Sequence, residues 1–196
     1  RHGYMQNAVV IFTEYFPYGK AESFLETEIN YYDKIKHVII MPMSSGCNQE
    51  KRDINLSNVQ TVRPETNFFK NRIISRLFGC FKVLITKHFW CELCSLILNR
   101  KINLKRVLQL LSFISKAKAT YNFAKKWIKN NLNDTNNIVF YSYWMSYQSL
   151  AAVWLSSKYK GSNVITRCHG FDLYERKDNN MYLPLRQYIA SRMSCI

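Results

Sequence analysis

Short apolar runs alternate with amphipathic stretches along this chain. Residues 8–13 (AVVIFT) are a β-branched run, which predicts a buried strand. Similar runs predict strands at 37–43 (HVIIMPM), 59–63, 138–141 and 163–167. Elsewhere the apolar positions recur at three and four: Ile73, Leu77, Phe81 and Leu84, then Leu104, Val107, Leu108 and Leu111. That spacing predicts helices, with a break between Asn99 and Asn103 and a longer helix over about 107–128. Helices are also predicted at 24–32, 144–159 and 183–191, and 193–196 read as the start of a further strand. Ser23 and Glu26 have capping-box spacing ahead of the first of these. Lys160-Gly161 reads as the C-cap of the second.

Strands alternating with helices predict an α/β fold with a parallel sheet and helices on both faces. The 196 residues suit one Rossmann-like domain, 1–196, with a helical basic segment at 68–131. No apolar run reaches the length of a membrane span; the nearest, 77–98, is interrupted by Lys82, Lys87, His88 and Glu92. The chain starts on Arg1 rather than Met and shows no signal-peptide pattern. Six scattered cysteines read as reduced thiols, and a cytoplasmic location is expected.

Charge changes this picture more than composition does. The net charge is +15, and residues 68–131 hold 14 Lys/Arg against one acid, Glu92. The rest of the chain holds 14 Lys/Arg and 12 acids. A block of this kind calls for an anionic partner such as phospholipid headgroups, a polyanion or nucleic acid. No helix-turn-helix, RNP or zinc-finger pattern supports nucleic acid, so it is not the expected partner. Cys91 and Cys94 with His88 have the spacing of a partial zinc site, but no second pair completes four ligands, and no metal is expected.

In a parallel sheet, ligands bind beyond the carboxyl ends of the strands. Two stretches that carry distinctive residues fall there. In 15–23, Gly19 permits close backbone approach, Lys20 adds charge, and N–H groups near Ser23 are candidate donors to a phosphate or sugar oxygen. GxGxxG is absent, so this is not a dinucleotide fingerprint. In 167–172, His169 followed by Gly170 can lean into a cleft, Asp172 can orient it, and Arg167 can pair with an anion. The competing readings are an ordinary strand-to-helix turn and a histidine satisfied within a turn.

These residues resemble a known family. Phe16-Pro17-Tyr18-Gly19-Lys20-Ala21-Glu22-Ser23-Phe24-Leu25-Glu26-Thr27-Glu28-Ile29 resembles the opening loop and helix of bacterial family 4 glycosyltransferases, which have the GT-B fold. Tyr141-Ser142-Tyr143-Trp144, Arg167-Cys168-His169-Gly170-Phe171-Asp172-Leu173-Tyr174 and Leu183-Pro184-Leu185-Arg186 resemble later segments of the same N-terminal domain, in the same order.

The resemblance implies a retaining sugar transfer from a nucleotide-sugar donor, in capsule, exopolysaccharide or lipopolysaccharide synthesis. It implies His169 near the transferred sugar and Asp172 in support. Gly19 and Lys20 would lie beside donor phosphates and acceptor; Ser23, Arg167 and Gly170 join the candidate binding residues from the reading of the two stretches themselves. Ala21 stands where the family commonly has a second glycine. The family's nucleotide-binding domain and its glutamate pair have no counterpart here. Glu14 and Glu22 share the Glu-x7-Glu spacing but flank the first loop, in the wrong domain.

The expected function is therefore the acceptor-side domain of a glycosyltransferase, inactive without a C-terminal nucleotide-sugar half. No cofactor beyond the donor substrate is expected. The expected partners are that donor, held with the second domain, a lipid-linked or polysaccharide acceptor, and an anionic membrane surface met by 68–131 at the inner face of the cell membrane. The alternative is a non-catalytic remnant that binds anions or a membrane surface.

Overall fold

The computed structural model describes residues 7–44, 49–64, 83–84, 86–169 and 182–195. Five strands form an all-parallel sheet: β1 (Ala8–Thr13), β2 (His37–Pro42), β3 (Val59–Thr61), β4 (Ile138–Ser142) and β5 (Asn163–Thr166). Their order is β3-β2-β1-β4-β5. β1 is central, with Ala8 beside both His37 and Ile138. All six of its residues are buried, which is why its sequence is an unbroken apolar run. Beyond β5, Cys195 makes a parallel bridge to Ile165, and the Ser194 N–H donates to the Val164 carbonyl at 2.8 Å. The last described residues thus extend the sheet on the far side of β5, where 193–196 read as a strand start. The strand order is that of a Rossmann-like sheet.

Helices cover both faces. α1 (Phe24–Glu28) and the 3-10 turn Ile29–Tyr32 pack Leu25 and Ile29 against Val9, Ile11, Val38 and Ile40. The opposite face takes α3 (Leu104–Asn131) and α4 (Tyr147–Ser156), with Ala124, Ile128, Ala152 and Leu155 against Val10, Phe12, Ile39 and Phe140. α2 (Lys87–Leu98) and α5 (Arg186–Ala190) complete a second, helical cluster with Leu110, Ile114 and Tyr147. The helices expected from Ile73, Leu77 and Phe81 lie outside the described residues.

The basic segment is not a simple insertion. α3 is 28 residues long, about 42 Å at 1.5 Å per residue, roughly twice the length of a strand here. Its C-terminal half is an integral layer on the sheet. Its N-terminal half overhangs the carboxyl edge, where Lys116 Nζ sits 5.5 Å from the Tyr147 ring. The break between α2 and α3 falls where the asparagines mark it: Asn99 is the C-cap of α2, and Asn103 Oδ1 accepts the Arg106 N–H at 2.8 Å.

Three local expectations need correction. The capping box does not form, because Ser23 is already helical (φ −59°, ψ −27°) and its side chain caps nothing. Glu26 instead meets Arg52 at 3.0 Å. α4 begins at Tyr147 rather than 144, with Ser146 as its N-cap, and it ends at Ser156. The Ser156 and Ser157 hydroxyls both donate to the Val153 carbonyl, which closes the helix early. Gly161 therefore serves the following turn at φ +70°, where a Cβ would run into Asn137 Oδ1. Finally, the buried stripe of α3 is Leu110, Ile114, Ala117, Thr120, Ala124 and Ile128, while Leu104 and Leu108 face solvent. Among the described residues, no helix is long and apolar enough to cross a membrane.

Candidate functional site

The carboxyl ends of β1, β4 and β5 bring the candidate residues together. After β1 the chain turns through 14–23 under the control of one buried carboxylate. Glu22 is 6% exposed. Its Oε1 accepts the Glu14 N–H at 2.8 Å, and its Oε2 accepts those of Tyr15 and Phe16 at 2.9 and 2.7 Å. Trp144 Nε1, arriving from the end of β4, donates to Oε1 at 2.9 Å. Four donors compensate the burial of this charge. Glu22 itself sits at φ +56°, a left-handed conformation that this network holds in place.

Arg52 clamps the loop from the other side. Its Nε donates to the Gly19 carbonyl and its Nη2 to the Ala21 carbonyl. Its Nη1 meets Glu26, and its guanidinium lies 5.1 Å from the Phe16 ring centroid. Gly19 has φ +66°, a left-handed conformation that favours glycine, and a Cβ there would meet the movable end of the Gln49 side chain. Lys20 and Ser23 are exposed on this loop. The N–H groups of Gly19, Leu25 and Glu26 already donate to the carbonyls of Glu50, Glu22 and Ser23.

A second carboxylate stands beside the first. Glu14 Oε2 accepts the Tyr147 hydroxyl at 3.1 Å and Gln148 Nε2 at 3.0 Å. Burial pushes the Glu14 carboxyl above its ordinary pKa; the Tyr147 hydrogen bond opposes this, Glu22 adds to it, and Lys116 opposes it. Tyr147 is raised in turn, by burial first and by Glu14 next.

The β5 end supplies Arg167 and His169. Arg167 Nη2 pairs with Glu28 Oε2 at 2.9 Å, and the same carboxylate accepts the hydroxyls of Tyr32 and Tyr141 at 2.5 and 3.2 Å. Burial and then Glu28 raise both of those tyrosines. The His169 ring lies 4.3 Å from that of Trp144 and 5.5 Å from that of Tyr143. Trp144 therefore touches both loops: its face meets His169 and its N–H meets Glu22. Gly170 and Asp172 lie outside the described residues.

No family model, curated protein or solved structure matches this chain. The arrangement has to be read from its own geometry. It brings Gly19, Ser23, Arg167 and His169 to one edge and commits Arg167 to an internal carboxylate. Sequence reasoning missed Glu14, Glu28, Arg52 and Gln148 as site residues. Glu14 and Glu22 drew attention only through their spacing, and what unites them here is a hydrogen bond. Among the described residues, no group of three or more His, Cys, Asp or Glu is placed to hold a metal ion. His88 packs against Tyr188 and Trp154, while Cys91 and Cys94 are exposed.

This edge is rich in acceptors, donors and aromatic faces, and Arg52 and Arg167 are already paired. It could hydrogen-bond a polyhydroxyl ligand, and Lys20 adds an exposed cation.

Proposed function

We propose that this domain is the acceptor-side, N-terminal half of a GT-B glycosyltransferase. In this reading it works in retaining, nucleotide-sugar-dependent transfer during cell-surface polysaccharide synthesis. The observation that carries the reading is the pair of loops joined through Trp144 at the carboxyl edge of a Rossmann-like parallel sheet. Two of the four segments that resemble family 4 glycosyltransferases, 16–29 and 167–174, begin on those same two loops. The donor nucleotide would be held chiefly by a second Rossmann-like domain. His169 would face the transferred sugar and its leaving phosphate, where transition-state charge needs stabilising. Glu14, Tyr147 and the loop backbone would receive acceptor hydroxyls from a lipid-linked or polysaccharide chain.

The test is transfer from a panel of nucleotide sugars, measured with the nucleotide-binding half supplied. His169→Ala is expected to lower kcat about a hundredfold or more. Unchanged turnover would remove His169 from the chemistry. Failure of every donor would remove the reading.

A second reading has its own observation. The basic helices present apolar side chains to solvent, which fits a membrane-surface module with or without catalysis.

A further inference from the structure

Half of the large exposed apolar side chains among the described residues lie at the end of the α2–α3 pair. Residues 99–103 join the two helices. On and beside this turn Leu98 is 83% exposed, Leu104 76% and Leu108 56%, and Ile97 and Ile102 are also exposed. Trp90, Ile97 and Leu98 follow one another along α2 at helical spacing and extend the patch. Large apolar side chains exposed together at one end of a helix pair mark an interaction surface rather than the usual scatter.

The same turn concentrates cations. Arg100, Lys101, Lys105 and Arg106 lie within it or next to it, and no acid occurs between Glu92 and Asp134. Beneath the turn, Lys101, Arg106 and Arg186 line one cavity of about 210 Å³. Among the described residues that line it, the one acid, Glu92, accepts the Tyr182 hydroxyl at 2.8 Å.

We propose that this turn is a docking tip for an anionic bilayer: Leu98, Ile102, Leu104 and Leu108 enter the headgroup–acyl boundary while Arg100, Lys101 and Lys105 bind lipid phosphates, and Arg106, which donates to the Lys101 carbonyl at 2.9 Å, holds the turn in shape. Charge complementarity selects the occupant. A second copy of the chain would bring like charge against like charge. A nucleic acid would satisfy the cations but offers no apolar layer to aliphatic side chains. An anionic membrane surface satisfies both halves of the patch.

The placement ties the tip to the candidate site. Lys116 lies beside Tyr147 and Glu14, and Leu104 is 12 residues nearer the N-terminus of the same helix, about 18 Å away at 1.5 Å per residue. A docked tip would hold the sheet's carboxyl edge close to the lipid surface. The inference deepens the membrane part of the proposed function and rests on that reading only for the benefit to a lipid-linked acceptor.

The experiment is co-sedimentation of the full chain with vesicles of phosphatidylglycerol and phosphatidylcholine, or of phosphatidylcholine alone, at low and raised salt. Binding is expected to the anionic vesicles and to fall with salt. Leu98→Gln with Leu104→Gln should weaken it about tenfold or more, and Lys101→Gln with Lys105→Gln by a similar factor. Lys125→Gln, Lys126→Gln and Lys129→Gln together should change it by less than about threefold, since Lys125 lies roughly 30 Å along the helix from Leu104, beyond the Debye length.

Equal loss in that control, or equal binding to phosphatidylcholine alone, would overturn the tip. So would tighter binding to duplex DNA that ignores the leucine changes, or a dimer in sedimentation equilibrium that those changes disperse. Vesicle binding and sugar transfer are read separately, so a failed dock leaves the His169 result standing, and a failed transfer leaves the dock standing.

Discussion

The carboxyl edge of the sheet and the α2–α3 tip treat charge in opposite ways. At the edge, Glu22 holds four donors, Glu28 holds Arg167, and Glu26 holds Arg52. At the tip, cations crowd a turn with no acid on the following helix. Paired charge holds a shape, and a surplus of one sign over a surface attracts the opposite sign from outside. The edge therefore reads as a preorganised scaffold. The tip reads as an anchor, and high overall net charge says little about the site itself.

The comparison breaks most visibly at Glu22. Glu22→Ala strands three backbone N–H groups and the Trp144 indole N–H. A loss of about 3 kcal/mol or more in unfolding free energy is expected by chemical denaturation. A loss below about 1 kcal/mol would mean that the loop does not depend on this carboxylate. Arg52→Ala should follow at about 1–2 kcal/mol, since its bonds are partly exposed. Arg52→Lys should not restore the loss, because a single ammonium cannot reach two carbonyls and Glu26 together.

Much of the fold was legible because the sheet is parallel and buried on both faces. Val9 and Val10 face opposite sides, yet both must be apolar, so β1 appears in the sequence as a plain run. Asn99 and Asn103 announced the α2–α3 break through local capping chemistry. The site was legible only in part. His169 and Gly19 stood out by residue type. The role of Glu22 depends on Trp144, 122 residues away, and no local spacing encodes that bond. α3 misled for a different reason. It has two apolar stripes, and periodicity cannot say which one meets the core. Leu104 and Leu108 belong to the stripe that does not.

A smaller, pH-dependent effect belongs to Glu14. Burial raises the Glu14 pKa above the ordinary value of 4.5, so the folded state binds this proton more tightly than the unfolded chain. The stability contributed by the raised group is fully present below 4.5 and is lost as pH rises through the folded value. Glu14→Gln removes this titration. The difference in unfolding free energy between wild type and variant should therefore drift in favour of the variant as pH climbs above 4.5. A pH-independent difference would show that Glu14 titrates normally, and that the Tyr147 and Lys116 contacts outweigh burial.

The smallest effect on stability belongs to the tip. Leu98→Gln with Leu104→Gln removes two side chains that are mostly in water already. Folding gains little from them, so the double variant should stay within about 0.5 kcal/mol of wild type in thermal or urea unfolding. Chains rarely keep two large aliphatic side chains in solvent next to four cations on a turn where polar residues would fold equally well. Neutrality in stability combined with a large loss of vesicle binding would separate the anchor from the scaffold. A loss of 2 kcal/mol or more would instead place both leucines in packing, and would return α3 to an ordinary role in the core.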